Sequence, residues 1–254
     1  MRILFSCFAA LAIFLFSPAA HCGVVELRPT TLTINPQEHI AVLSLQNPEA
    51  VASVFQVNIY SWHQKGNDQI LEPTNDVIAS PPIVSLGPRG TQVVRVGLRA
   101  PDLPPDEKTY RLVLEEIPTH DQFERPGLNI ALRVSLPLFV RPESSIPSAR
   151  LQADMRIADG AATVTVHNEG QYTTRLTEAV LHASALPDND KGIESKNLTY
   201  ALPGSWATYR FQLPPAVASL TDAKITVQTE DGPTDLAAPL MSSEAAINGP
   251  TIPR

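Results

Sequence analysis

Cysteine is almost absent from this 254-residue chain, and both examples, Cys7 and Cys22, lie within the first 22 residues. The same segment has a basic second residue followed by the apolar run ILFSCFAALAIFLF. This pattern is typical of a secretory signal peptide, because the run is shorter than the roughly twenty apolar residues that span a bilayer. We therefore predict that residues 1–22 are a signal peptide cleaved after Ala19 or Cys22. The exported protein that remains can form no internal disulfide.

Positive charge is also scarce. The chain carries 19 Lys and Arg residues against 26 Asp and Glu residues, a formal net charge of −7. Nucleic acid is disfavoured as a partner, because binding to a phosphate backbone depends on clustered basic residues. No segment after the leader is long and apolar enough to span a bilayer, so we expect no membrane insertion.

Sequence motifs for catalysis and metal binding are missing as well. The histidines after the leader occur singly, with no HExxH pattern and no cysteine partner, so we predict neither a metal nor a cofactor. GxSxG, GxGxxG and glycine-rich phosphate loops are absent. The adjacent Glu115 and Glu116 point to opposite faces of a predicted strand, which is wrong for shared acid/base work. We therefore predict that the protein is not an enzyme, and a hydrolase built from scattered residues is the most distant alternative.

Short runs rich in Val, Ile, Leu and Thr fill most of the remaining chain and predict β-strands. In the first half they occur at 24–34, 39–47, 51–62, 91–98 and 109–117, separated by turn signals that contain Asn, Gly and Pro. About seven strands in about 120 residues favour an immunoglobulin-like sandwich. Two prolines and two serines interrupt the pattern at 141–147, and a shorter set of β-like runs follows. We predict domains at 23–142 and 143–232, followed by an unstructured tail at 233–254.

The segment GLNIALRVSLPLFV at 127–140 alternates more regularly than any other run. Its apolar face carries Leu128, Ile130, Leu132, Val134, Leu136 and Leu138. The run is about twice the usual length of a strand. From the residues alone, the simpler interpretation is that this face packs against the core of its own domain. An apolar edge of this length would otherwise be an aggregation hazard.

Three segments carry a family resemblance in their order and spacing: SPPIVSLGPRGTQVVRV at 80–96, YRLVLEEIP at 110–118 and NIALRVSLPLFVRP at 129–142. They resemble the first domain of the PapD-like periplasmic pilus chaperones. The resemblance covers most of residues 24–142 and implies an all-β chain of two immunoglobulin-like β-sandwich domains with an interdomain cleft. It also implies a periplasmic location, pilus or fimbrial subunits as partners, and delivery of these subunits to an outer-membrane usher.

The resemblance gives the long alternating run a function. Subunits in this family lack the last strand of an immunoglobulin-like fold, and the chaperone lends its own strand, called G1, by β-strand addition. The resemblance implies that Leu128, Ile130, Leu132 and Val134 fill the groove of the subunit. We expect Leu136 and Leu138 to belong to the core of the chaperone itself.

One family feature is missing from the predicted cleft. The best-known members bind the terminal carboxylate of the subunit with an Arg on the first strand and a Lys on G1. The matching positions here are Thr31 and Pro137, and neither carries a charge. Because a desolvated carboxylate needs a cationic partner, we predict a substitute at Arg111, with Arg28 and Arg95 as weaker candidates. This replacement is similar to the archaic-type branch of the family.

The resemblance also implies a charge triad between the domains, formed by Glu107, Arg141 and Asp231. Its role would be to fix the angle between the domains, since exposed ion pairs add little stability. The alternative function, from a different class, is an exported immunoglobulin-like adhesion or structural module. A G1 edge that is unpaired and able to fill a groove distinguishes the chaperone from this alternative.

Overall fold

The computed structural model describes residues 24–100, 102–118, 130–142, 150–186, 191–215, 217, 220 and 222–241. The predicted signal peptide and residues 143–149, where we place the domain boundary, lie outside these ranges. The described residues form strands without any helix, so the all-β prediction is confirmed.

Ten strands make up the first half of the chain. They are β1 (Glu26–Arg28), β2 (Leu32–Ile34), β3 (Ile40–Gln46), β4 (Ser53–Lys65), β5 (Asp68–Pro73), β6 (Val77–Ser80), β7 (Ile83–Leu86), β8 (Thr91–Leu98), β9 (Lys108–Glu116) and β10 (Arg133–Val140). Sheet 1 has the order β1-β3-β8-β6. Sheet 2 has the order β2-β10-β9-β4-β5, and β7 pairs with the first part of β4. The two sheets enclose one apolar core, as in a sandwich.

Nine further strands form the second half. They are β11 (Leu151–Ala158), β12 (Ala161–Asn168), β13 (Thr174–Leu176), β14 (Glu178–His182), β15 (Ile193–Ser195), β16 (Thr199–Ala201), β17 (Trp206–Gln212), β18 (Lys224–Thr229) and β19 (Gly232–Ala237). Their sheets have the orders β11-β12-β17, β13-β16 and β15-β14-β18-β19. They bury a second apolar cluster that shares no residue with the first. Two separate cores agree with the predicted two-domain organisation.

The predicted tail is wrong for residues 233–241. Strand β19 pairs with β18 along its whole length, and Leu240 forms a bridge with Met155 of β11. Asp235 is tied to this sheet through Lys224 at 2.6 Å and Thr226 at 2.8 Å. The sequence of β19, GPTDLA, contains Gly and Pro and lacks a strong apolar alternation, so it gives a weak strand signal. An edge strand nevertheless tolerates proline, because one of its sides makes no hydrogen bonds to another strand. Residues 242–254 lie outside the described ranges.

The β4–β5 hairpin joins the two domains through the side chain of Gln64. The partners of this side chain in the second domain are the carbonyl oxygens of Tyr200 at 2.6 Å and Trp206 at 3.2 Å, the amide of Leu202 at 3.1 Å and the hydroxyl of Ser205 at 2.9 Å. Asn67, in the hairpin turn, exchanges two hydrogen bonds of 2.8 Å with the backbone of Thr208. The hairpin thus fixes the 200–208 segment of the second domain against sheet 2.

A buried carboxylate forms a second link between the domains. The side chain of Glu107 is 1% exposed, and its Oε2 lies 3.6 Å from Nε of Arg141. Its Oε1 accepts a hydrogen bond of 2.7 Å from the backbone N–H of Thr173 in the second domain. Burial raises the pKa of the Glu107 carboxyl above its ordinary value of 4.5, although Thr173 and Arg141 both act in the opposite direction.

Asp231 does not join this pair. It is exposed in the β18–β19 turn, where its backbone N–H donates to the hydroxyl of Thr229. Among the described residues, no ion pair connects it to Glu107 or Arg141, so this part of the predicted triad is wrong. The second domain instead contributes the Thr173 amide and the ring of Tyr172, which lies 5.7 Å from the Arg141 guanidinium carbon.

The pKa of Glu107 predicts how a Glu107→Gln variant will behave. A carboxyl whose pKa is raised by folding favours the folded state most when it is protonated, so its contribution is present below about pH 4.5 and is lost as the pH rises through the folded-state pKa. Gln keeps an acceptor for Thr173 but cannot ionise. We expect the wild type to lose stability relative to Glu107→Gln as the pH rises from 4 to 7. The measurement is the difference between their free energies of unfolding in urea titrations. A difference that grows over this interval would mean that the ion pair with Arg141 outweighs the burial.

Candidate functional site

Strand β10 has one fully paired edge and one partly open edge. It pairs with β9 from Arg133 to Val140, in an antiparallel ladder. On its other side it pairs with β2 in parallel, but only over Leu138, Phe139 and Val140. Within the described part of the chain, nothing pairs with the outer edge from Arg133 to Ser135.

The direction of the backbone groups defines what this open edge offers. The amide of Glu116 donates to the carbonyl of Leu132 at 2.8 Å, and the direction of the groups alternates along an antiparallel strand. The groups of Val134 and Leu136 therefore point to β9, and those of Arg133, Ser135 and Pro137 point outwards. Pro137 is tolerated in β10 for this reason, since its missing N–H would face away from β9. The open edge presents the N–H and carbonyl groups of Arg133 and Ser135, whereas the parallel register places the Pro137 carbonyl against the N–H of Leu32.

The start of β10 is set by an acidic side chain. The amide of Leu132 donates to Oε2 of Glu116 at 3.0 Å, in place of a backbone carbonyl of β9. Residues 130–132 are described but lie before the strand, and residues 127–129 lie outside the described ranges. The expected strand over the whole of 127–140 is thus observed as the eight residues of β10.

The apolar face of this segment runs out of the core towards solvent. Leu138 is fully buried and Leu136 is 6% exposed, so both belong to the core of the first domain as expected. Val134 and Leu132 are partly buried at the margin of this core, and Ile130 is 67% exposed. Leu128 lies outside the described residues. The row therefore combines side chains that anchor the strand with side chains that are available to a partner.

The residues at the family's anchor positions lie in one row on the cleft face of sheet 2. Pro137 is directly opposite Arg111 of β9, which is itself opposite Tyr60 of β4. Extending the parallel register by one residue places Thr31 opposite Pro137 on the other side. Side chains in one row of a sheet share a face. Arg111 therefore occupies the same face as the two uncharged positions, one strand away from Pro137.

Arg111 is a buried cation without an acidic partner. It is 7% exposed, and its guanidinium carbon lies 3.7 Å from the centre of the Trp62 ring and 5.3 Å from that of Tyr200. Nη2 donates to Oε1 of Gln69 at 3.0 Å, and Nε is buried without a hydrogen-bond partner. Burial lowers the pKa of this guanidinium, although it remains charged at neutral pH. An anion that reached Arg111 would neutralise a charge that nothing described in the protein neutralises.

The other two predicted cations lie on sheet 1, away from this face. The side chain of Arg28 is 85% exposed and lies 3.9 Å from Glu26. Arg95 is exposed on β8, opposite Val42 of β3. Neither has the burial that would make a carboxylate contact strong. The structure therefore separates Arg111 from both alternatives.

An apolar cluster from both domains surrounds the Arg111 site. Trp62 and Phe139 come from sheet 2, and Leu202 and Tyr200 come from the second domain. The rings of Trp62 and Tyr200 meet edge to face at 5.1 Å. Sequence reasoning missed this cluster and Gln69, because the register of the strands in sheet 2 and the contact of Gln64 with the second domain bring these distant residues together.

The structure offers little for catalysis. Glu115 binds Arg133 at 2.8 Å, and Glu116 caps the start of β10, so both of these carboxylates already have structural partners. Among the described residues, His, Cys, Asp and Glu form no group of three that could hold a metal ion. Among the described residues, no helix is long and apolar enough to cross a membrane.

Comparison with known proteins gives the same fold and adds a family. Residues 24–145 match the model of the pili and flagellar-assembly chaperones, PapD N-terminal domain. The chain is 27% identical over 235 residues to an Escherichia coli O157:H7 protein named "Probable fimbrial chaperone LpfB", covering 91% of this chain and 94% of that protein.

Two solved structures illustrate the fold. One is the CsuC–CsuE complex of a chaperone and a tip adhesion subunit, from archaic chaperone-usher pili of Acinetobacter baumannii. It matches with a TM-score of 0.63 and 21% identity, over 86% of this chain and 100% of that chain. The Salmonella enterica SafA pilin in complex with the SafB chaperone matches with a TM-score of 0.57 and 19% identity, over 87% of this chain and 99% of that chain. The predicted fold of two immunoglobulin-like sandwiches is thereby confirmed. Residues 24–145 therefore form a PapD N-terminal domain of the pilus chaperones, and nearly the whole chain is similar to a fimbrial chaperone.

Proposed function

We propose that this pilus chaperone acts in the periplasm by lending strand β10 to an incomplete fimbrial subunit, which it then delivers to an outer-membrane usher. The observation that carries the proposal is the open edge of β10 beside an apolar row that leaves the core. A strand added at this edge would satisfy the outward backbone groups of Arg133 and Ser135.

The side chains give the added strand its specificity. Full burial of an aliphatic side chain such as Ile130 contributes about 1.5–3 kcal/mol, before the cost of ordering is subtracted. Leu132 and Val134 already pack partly against their own core, so they contribute less new burial and instead hold the segment in register. Leu128 continues the same alternation in the sequence, and we assign it to the same groove-filling row.

We further propose that Arg111 binds the terminal carboxylate of the subunit. The row that contains Thr31, Pro137 and Arg111 supports this role, because the cation lies on the face where the best-known members of the family hold theirs. The guanidinium is desolvated, unneutralised and has unused N–H groups, so an ion pair there would be strong. We place the chain in the archaic-type branch on the replacement of the usual basic pair.

Ile130→Asp tests the lent strand. We expect this variant to lose capture of a fimbrial subunit that the wild-type chain captures on coexpression, because a carboxylate placed in a dry groove costs several kcal/mol. Its free fold should be unaffected, since Ile130 is 67% exposed. Leu132→Asp should also lose capture but should melt at a lower temperature, because Leu132 packs partly against the core.

Ile83→Asp is the matched control for this test, since Ile83 is 55% exposed on β7, away from β10. Subunit recovered on a tag and thermal melts of the free proteins are the two measurements. Normal capture by Ile130→Asp, or equal losses with Ile83→Asp, would leave the adhesion-module alternative as the better explanation.

Arg111→Ala tests the anchor. Loss of one partner from a desolvated charge pair typically costs about 2–5 kcal/mol, so this variant should capture the subunit at least roughly thirtyfold more weakly. Arg111→Lys should restore only part of the affinity, because an ammonium lacks the planar fork that grips both oxygens. Arg28→Ala is the control and should bind normally, because Arg28 is exposed and paired with Glu26. Wild-type affinity for Arg111→Ala would remove this residue from the site.

A further inference from the structure

The guanidinium of Arg111 is held on three sides, and each side comes from a different element. Trp62 of β4 lies beneath it at 3.7 Å, Tyr200 of β16 lies at 5.3 Å, and Gln69 of β5 accepts its Nη2 hydrogen bond at 3.0 Å. Trp62 and Gln69 belong to the first domain, whereas Tyr200 belongs to the second. The position of this cation therefore depends on both domains.

Gln69 is a neutral acceptor in an acidic strand. Strand β5 reads DQILEP, with acids at positions 68 and 72, yet the side chain that meets Arg111 is an amide. An amide oxygen orients the guanidinium without cancelling its charge. A carboxylate at the same position would form an internal ion pair and compete with an incoming anion.

Gln64 connects this arrangement to the domain junction. Gln64 and Gln69 are cross-strand partners in the β4–β5 hairpin. Gln69 contacts Arg111, and Gln64 donates to the carbonyl of Tyr200 at 2.6 Å. One rung of the hairpin therefore holds the cation and also holds the backbone of the aromatic residue that covers it.

We propose that Gln69 and Tyr200 are positioning residues for the carboxylate anchor, so that Arg111 is oriented for capture only while the second domain is docked on sheet 2. This inference rests on the proposed role of Arg111. Gln69 sets the in-plane orientation of the guanidinium by its hydrogen bond, and Tyr200 closes the aromatic pocket from the second domain. Neither side chain needs to touch the subunit.

The test compares two forms of one probe, a fimbrial subunit that the wild-type chain captures on coexpression. One form keeps its natural carboxyl end, and the other is lengthened by Gly-Gly, which moves the carboxylate away from the anchor. The ratio of their affinities for the full-length mature chaperone measures the contribution of the anchor. A general loss of stability or of strand donation affects both forms and leaves this ratio unchanged.

We expect Gln69→Leu to lower this ratio roughly tenfold, as is usual for loss of a hydrogen bond to a charged group. Gln69→Glu should bring the ratio close to one, because the new carboxylate neutralises Arg111. Tyr200→Leu should lower the ratio, and Tyr200→Phe should restore it, since Phe keeps the ring that lies 5.3 Å from the guanidinium carbon. Gln56→Leu, on the same sheet but with its side chain hydrogen-bonded to Asn58 instead of to Arg111, is the control and should keep the wild-type ratio.

The outcomes separate this inference from the proposed function. If Arg111→Ala keeps the wild-type ratio, the anchor role itself is wrong. If Arg111→Ala abolishes the preference while Gln69→Leu, Gln69→Glu and Tyr200→Leu preserve it, the anchor stands and the positioning roles are overturned. Gln69 lies wholly within the first domain, so its variants decide the question even if Tyr200→Leu disturbs the docking of the domains.

Discussion

An edge strand must do something with the backbone groups on its unpaired side, and this constraint organises the first domain. At one end of β10 these groups pair with β2, which runs along Leu138–Val140, but the outward groups of Arg133 and Ser135 pair with no described strand. Other features of the site follow from this edge. The apolar row leaves the core along the same segment, and Pro137 marks the outward position at which pairing with β2 begins. Most proteins protect such an edge with charges, bulges or covering loops. Under the proposed function, this exposed edge is the surface that binds the subunit.

A second constraint is the charge of Arg111. A buried guanidinium without a carboxylate is costly, and under the proposed function the subunit supplies the missing anion. Here aromatic rings and a neutral amide reduce the cost without cancelling the charge. Thr31, Pro137 and Arg111 share one row of the sheet. A cation at Arg111 therefore lies on the same face, and at the same distance along the cleft, as a cation at Pro137 would. The open edge would then provide affinity through main-chain pairing, and the cation would fix the register by fixing the end of the subunit chain.

Much of this structure could be predicted from sequence, and the failures have physical causes. The alternation at 39–47, 51–62, 91–98 and 109–117 identified β3, β4, β8 and β9 because one face of each is buried. Strands β5, β6 and β7 lay outside the predicted runs, and β5 is exposed along its whole length. Arg111 was predicted from the family resemblance, which implies a carboxylate anchor, because the matching Thr31 and Pro137 are uncharged. Strand β19 was missed because GPTDLA pairs through its backbone and through Asp235 rather than through an apolar face. Asp231 was wrongly assigned because the second domain carries few recognisable motifs. The second domain reaches Glu107 through the backbone amide of Thr173, which no side-chain pattern reveals. Gln64 and Gln69 are ordinary strand residues until the register of the hairpin places them at the junction.

Amide hydrogen exchange at Ser135 tests the lent strand most directly, with the neighbouring Val134 as an internal reference. The N–H of Val134 points to β9 and should be protected in the free chaperone and in its complex with the subunit alike. The N–H of Ser135 points to the open edge, so it should exchange quickly in the free protein and become strongly protected when a subunit strand pairs with it. Protection of Ser135 that appears only in the complex is the result the account predicts. Equal, rapid exchange of Ser135 in both states, in a complex shown to be intact, would contradict it, because the subunit would then be bound without strand addition.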